Sequence, residues 1–319
     1  MHAYILKRLL LFIPTLLLVT VLVFIILRLI PGDPALLLLV GETGEGKFTE
    51  EKLATLRAAL GTDRPLYVQY GDWVWDALRL DFGMSAFYDT PISEDLASKF
   101  PITLELTILA VLLATVLAVP LGVISAIKQD TLPDYISRII TFAGIAVPNF
   151  WVGILIVYFL VLAFQWLPPL GYVNLWEDPG KNLQQLIFPA IALAFFNMAF
   201  IARVTRSSML EVFREDYIRT ARAKGLMERV VVYRHALKNG LLPVVTVSGY
   251  EFGRLIAGTV VIESIFLVPG VGRLLIDGIF HRDYTVVQAV IMMIAVVVLV
   301  VNLTLDLLYA WLNPKIRYS

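Results

Sequence analysis

Residues 9–30 read LLLFIPTLLLVTVLVFIILRLI, a run whose only charged side chain is Arg28. A helix of about 20 apolar residues crosses the roughly 30 Å hydrocarbon core of a bilayer. Lys7 and Arg8 ahead of it give the flank of a secretory signal, but the run is longer than a signal's apolar region and no small-x-small cleavage site follows. It reads as an uncleaved first transmembrane helix. The composition agrees, with 59% of 319 residues hydrophobic and only 16% charged, more apolar than ordinary soluble domains. The absence of cysteine excludes disulfides, thiolate metal sites and cysteine nucleophiles. His2, His235 and His281 lie far apart and show no metal-ligand spacing.

Further apolar stretches cover 106–127, 139–167, 187–202, 241–262 and 286–312. The second of these is interrupted at Pro148–Asn149, a kink with a hinge role or, the preferred reading, a packing accommodation, and the third is short and expected to continue past its nominal end. The expectation is an all-α membrane protein with six transmembrane helices and a long external loop after the first. Cations resist translocation, so their distribution sets orientation. With the N-terminus inside, the inside segments hold Lys7, Arg8, Lys128, Arg138, Lys315, Arg317 and nine cations between Arg203 and Lys238. The short outside segments, 166–185 and 264–285, hold only Lys181, Arg273 and Arg282. Both termini are therefore expected in the cytoplasm. The order becomes a tail and first helix over 1–30, an external cap over 31–100, a five-helix core over 101–312 and a tail over 313–319.

The cap opens with PGDP at 31–34, which stops the first helix. Within it, TEEKLATLRAALG has helix grammar: Thr49 to cap, Glu50 and Glu51 at the positive end, Gly61 to close. Leu53, Leu56 and Leu60 share one face, and Trp73 and Trp75 suit a membrane–water boundary.

The second polar region, 203–240, is cationic beyond what a cytoplasmic location alone explains, because its residues also follow a local pattern. Glu215 stands four residues before Arg219, an i, i+4 pair, and Asp216 four before Thr220. Ala221 and Ala223 are small helix formers, and Gly225 can end a short helix in the left-handed conformation. A second helical run follows over 228–238. The expected result is a helix–turn–helix in which the alanines permit close approach of another backbone, flanked by Arg219, Arg222 and Lys224. Such a surface is expected to be a docking element rather than a solvated linker.

EDYIRTARAKGL and HALKNGLLPVVT resemble the cytoplasmic loop of binding-protein-dependent ABC importer permeases. That loop reads Glu-Ala-Ala, three residues, Gly, nine residues, Ile-x-Leu-Pro. Anchoring on Gly225 places Arg219, Thr220 and Ala221 at the Glu-Ala-Ala positions, and His235, Leu237 and Lys238 at Ile, Leu and Pro. The opening Glu and closing Pro are thus replaced. RLIPGDP, LGTDRPLYVQY, FPITLELT, PGVGRLLIDGIFHRDYTVVQ and DLLYAWLNPKIR are similar to the dipeptide, oligopeptide and nickel branch, in order along nearly the whole chain. The resemblance implies a type I ABC importer permease fold and import of di- or oligopeptides, with nickel complexes or oligosaccharides as alternatives. The implied partners are a second homologous permease, two ABC ATPases, an external solute-binding protein and the lipid bilayer, with no nucleic acid. ATP and Mg would sit on the ATPases: this chain has no GxxxxGK[ST] motif and is not expected to be an enzyme. Glu215, Asp216, Arg219, Thr220, Ala221, Arg222, Ala223, Lys224, Gly225, His235 and Leu237 become the ATPase-coupling residues, in a bacterial or archaeal plasma membrane.

Charges inside spans are costly and normally face a cavity or a partner. Glu251 and Arg254 lie mid-span at i, i+3 and are candidates for the translocation path or for mutual neutralisation at an interface. Asp306 lies deep in the last span, Glu105 near the start of the second, and Arg28 is read as snorkelling. Gly249 and Gly253 form a small-xxx-small pair. Two other classes compete. An ion-coupled secondary transporter would carry ions on Glu251, Arg254 or Asp306, but no internal duplication is visible. An intramembrane enzyme would need a histidine pair or a Ser/Lys constellation, which the spacing lacks.

Overall fold

The computed structural model describes residues 2–29, 35, 36, 39, 49–59, 61–169 and 171–312. The PGDP stop at 31–34, Leu60, Lys315 and Arg317 lie outside them, as do the side chains of Lys7 and Leu56. Among the described residues there are helices, turns and one isolated antiparallel bridge, Met84 to Pro91. The helices are α1 His2–Leu29, α2 Glu50–Ala59, α3 Leu66–Leu78, α4 Ile92–Ile127, α5 Leu132–Ala146, α6 Asn149–Phe164, α7 Pro179–Val212, α8 Asp216–Ala223, α9 Glu228–Val230, α10 Leu237–Gly258, α11 Val260–Ile265, α12 Val271–Phe280 and α13 Tyr284–Leu312. A π-helical turn, Val231–Ala236, joins α9 to α10.

Among the described residues, four helices are long and apolar enough to cross a membrane: α1, α4, α7 and α13. A fifth span exists if α5 and α6 are counted together, but they meet at 101°. The interruption at Pro148–Asn149 is therefore a corner and not the packing accommodation expected within one long helix. Pro148 has no N–H to continue α5 and sits as the extended residue ahead of α6. The stretch expected as another span, 241–262, forms α10 and α11, broken at Thr259. Glu251 and Arg254, with Thr, Ser, Gly and Tyr neighbours, lower its hydropathy below that of the others.

The chain divides into two compact units. The first comprises 103–268 and 300 onward. Its core alternates small and large side chains from α4, α7 and α10: Ala114, Ala118, Ala194, Met198, Ile201, Ala202 and Val244. The GYEFG pair belongs to this packing, since a Cβ on Gly249 would come within 2.1 Å of Leu305 Cδ2 and one on Gly253 within 3.3 Å of Val301 Cγ1. Close approach of α10 to α13 is what the small residues permit. Along α6, Phe150, Trp151, Ile154, Tyr158, Phe159 and Leu162 are exposed, an apolar face fit for lipid.

The second unit comprises 2–102 and 269–299. Ile92, Leu96, Val271, Leu274, Val286, Ala289 and Val290 form its core. Helix α3 packs on α1: Tyr70 and Trp73 contact the Phe24 ring, and the Thr20 and Tyr70 hydroxyls lie 2.7 Å apart. Arg28 does not snorkel freely, since its Nε donates to Gln69 Oε1 at 3.1 Å and its guanidinium lies over Phe24. Asp283 ties this unit together, accepting from Ser85 Oγ, Phe87 N and Val286 N. The expected details of α2 appear: Lys52 N reaches Thr49 Oγ1, and Gly61 has φ +65°.

Candidate functional site

Helix α8 is only eight residues long, too short to persist alone, so its neighbours must hold it. Ile218 and Ala221 are buried in one cluster with Val123, Ala126, Met209, Val231, Val232 and Ala236, and Leu237 packs against its edge. The termination is a Schellman turn: Leu226 N donates to Ala221 O, Gly225 N donates to Arg222 O, and Gly225 has φ +76°. The glycine thus does what its position predicts. Beyond it, Arg222 reaches across the turn to Glu228, Nε to Oε2 at 3.1 Å and Nη2 to Oε1 at 2.6 Å. Asn239 donates to the Tyr217 hydroxyl at 2.8 Å, and Ser208 Oγ donates to Gly240 O at 2.9 Å. The segment is a clamped finger.

Its electrostatics are local. The hydrogen bonds from Arg222 hold the Glu228 carboxyl below the usual carboxylate range, and Glu228 raises Arg222 in turn. Arg219 pairs with Asp216 at 3.1 Å, one residue closer than the expected Glu215. Glu215 instead precedes the helix in extended conformation, and its carbonyl accepts from Ile218 N and Arg219 N. Ala221 points inward, so it is not the outer contact for another backbone that its size led one to expect. His235 lies partly buried within the π-helical turn. Tyr217, Thr220, Ala223, Lys224, Gly225, Leu226 and Met227 face outward, together with the paired charges Asp216–Arg219 and Arg222–Glu228 and the exposed Glu215, giving a mixed-charge face around an apolar tip.

Within α10, Glu251 is buried and Arg254 is 55% exposed along its side chain, with Arg254 Nη2 2.7 Å from Glu251 Oε2. The Arg254 guanidinium also lies over the Phe196 ring, 4.7 Å from its centroid. The pair is thus self-neutralised on one side and open on the other. Asp306 is joined by the Tyr250 hydroxyl at 3.4 Å.

Three polar clusters of this unit went unread in the sequence. Asp134, fully buried at the start of α5, is gripped by Arg206 from α7, Nε to Oδ1 and Nη2 to Oδ2, both 3.0 Å. Asp134 also accepts from Ser125 Oγ and Asp130 N. Glu263, fully buried, accepts from Thr103 Oγ1 at 2.7 Å. Tyr172 donates to Glu105 and accepts from Asn182 Nδ2. Burial, then the Glu105 carboxylate, push the Tyr172 hydroxyl well above the usual tyrosine value. Asp134 after Pro133, and Arg206 three residues beyond Arg203 in a largely apolar helix, were the only signals for the first cluster.

The fold and the clamped finger define a polytopic helical membrane protein. A solved amino acid ABC transporter chain superposes with a TM-score of 0.51 at 16% identity, covering 70% of this chain and 94% of that one; at that identity the likeness is one of fold. The chain belongs to the binding-protein-dependent transport system inner membrane component family, whose pattern matches 118–318, with its N-terminal companion matching 1–107. A candidate peptide transport system permease protein of Brucella abortus (strain 2308) is 41% identical over 319 residues, covering all of both chains. The dipeptide transport system permease protein of Alkalihalophilus pseudofirmus is 39% identical over 338 aligned residues, again covering both chains fully. The glutathione transport system permease protein of Escherichia coli (strain K12) is 40% identical over 316 residues and 99% of each chain. This protein is an ABC importer permease subunit, an inner-membrane component of its transport system.

Proposed function

We propose that the subunit forms half of the translocation path of an ATP-driven importer for di- or oligopeptides. The clamped α8 finger carries this reading. A helix that must transmit force needs a fixed base and a free tip; the buried Ile218 and Ala221 supply the first, and the mixed-charge surface around Leu226 and Met227 supplies the second. Two partner ATPases bind ATP and Mg, and one receives the finger. Their closure moves α8, and rigid-body rocking against a second permease alternates access to the path. An external binding protein delivers the substrate, and both termini of this chain face the cytoplasm. The peptide class is supported by the relatives above, named for peptide, dipeptide and glutathione transport.

Glu251 and Arg254 are assigned to the path, since Arg254 leaves its pair half open within the membrane. The whole assembly, reconstituted with its partners, is expected to take up labelled dipeptide only with ATP inside and loaded binding protein outside. Uptake by this chain alone, driven by an ion gradient, would overturn the reading. Glu251→Gln and Arg254→Gln are expected to lower uptake while ATP hydrolysis continues; unchanged uptake in both removes them from the path. Peptides, nickel complexes and oligosaccharides offered to the cognate binding protein decide the substrate class.

A further inference from the structure

A cavity of about 220 Å³ lies between α4, α5 and α7, lined by Ser125, Ser137, Arg138, Thr141, Arg203 and Arg206 among others. Its wall is fixed by close helix approach, since a Cβ on Gly122 would fall 2.5 Å from Thr205 Cβ and 2.6 Å from Ala202 O. Three arginines line it, and the carboxylate beside them, Asp134, is fully buried and consumed by Arg206. Among the described residues neither Arg138 nor Arg203 has a carboxylate partner; the Arg138 guanidinium has only the Tyr135 ring, 5.8 Å away. The lining therefore has two surplus positive charges, while the hydroxyls of Ser125, Ser137 and Thr141 already donate to Asp134, Pro133 O and Arg138 O. An apolar surface adjoins it: Phe142, also in the lining, is 71% exposed and Ile139 is 68% exposed.

We propose that this cavity binds the phosphate of an anionic phospholipid, with Arg138 and Arg203 as its charge partners and the acyl chains lying along Ile139 and Phe142. Arginine forks match phosphate oxygens, and basic pockets between membrane helices are suited to anionic headgroups. Free phosphate would satisfy the same arginines but would leave the adjoining apolar face unused. Arg206 is a positioning residue, since Asp134 neutralises its charge and holds its Nε and Nη2.

The test uses the assembled transporter in nanodiscs of phosphatidylcholine, alone or mixed with phosphatidylglycerol. Lipid retained through detergent exchange is then identified by mass spectrometry. The native protein is expected to retain phosphatidylglycerol selectively, and added inorganic phosphate should not displace it. Arg138→Gln or Arg203→Gln should weaken retention roughly 5-fold each, and the double variant roughly 30-fold, at the strength of a basic side chain at an anionic membrane surface. Arg138→Lys with Arg203→Lys should restore most of it. Equal retention of both lipids by the native protein overturns the proposal, as does undiminished phosphatidylglycerol in the double Gln variant. Displacement by inorganic phosphate overturns the lipid assignment in favour of the free ion.

Discussion

Arg206 and Arg222 each grip one carboxylate with two nitrogens, and both pairs have fork geometry. The settings are opposite. The Arg206–Asp134 side chains are 25% and 0% exposed, and the pair joins α7 to α5 inside the helical unit. Arg222–Glu228 is 43% and 54% exposed and staples the tip of the finger. Equal geometry does not mean equal consequence. A buried carboxylate deprived of its cation is left stranded in low dielectric, whereas an exposed one is taken over by water. The interior pair therefore fixes architecture, and the surface pair only trims a loop.

Breaking the interior pair is the largest expected effect. Arg206→Ala should destabilise the permease by about 3–5 kcal/mol, read as lost folded yield and a lowered melting temperature in detergent. Loss of only a few tenths would erase the contrast. Next comes the base of the finger. Ala221→Leu overfills the cluster around Met209 and Val231, costing about 1–3 kcal/mol; thermal melting should register it even without any ATPase present. An effect confined to the assembled complex would return Ala221 to the docking face.

Gly225→Val acts at the turn itself. A side chain at φ +76° costs about 1–2 kcal/mol, enough to unset the Schellman turn. Uptake driven by ATP should fall while the permease still folds, which separates transmission of force from stability.

The smallest effect belongs to Glu228→Gln, at most about 1 kcal/mol. Because the folded carboxyl is held below its ordinary value of 4.5, the pair contributes fully above that value. Its contribution is lost as pH falls through the lower folded value. Native and Glu228→Gln proteins should therefore differ slightly at neutral pH and converge in acid; divergence in acid would mean that Glu228 is stabilised when protonated.

What could be read beforehand follows the same division. Apolar runs, the Thr49 cap and the left-handed Gly225 are local grammar, settled within one or two turns of chain, and the sequence carries them openly. The Arg206–Asp134 pair spans 72 residues, so its two halves look like isolated charges until the helices are packed. Ala221 was misread because small size fits both a docking face and a tight core, and only burial tells them apart. The corner at Pro148 was underestimated because a proline marks a break without setting its angle, here 101°. The finger's pairing was displaced by one position, Asp216 for Glu215, since the helix begins at Asp216 and leaves Glu215 extended.

Asp283 bears on how the protein is made. Its carboxylate bonds Ser85 Oγ, 198 residues earlier, and Phe87 N, 196 residues earlier. Until the ribosome has delivered residue 283, the turn at 85–88 has no acceptor for that hydroxyl and amide. Contacts of such separation close late, so the early segment near Ser85 reaches its final form only after residue 283 has been synthesised.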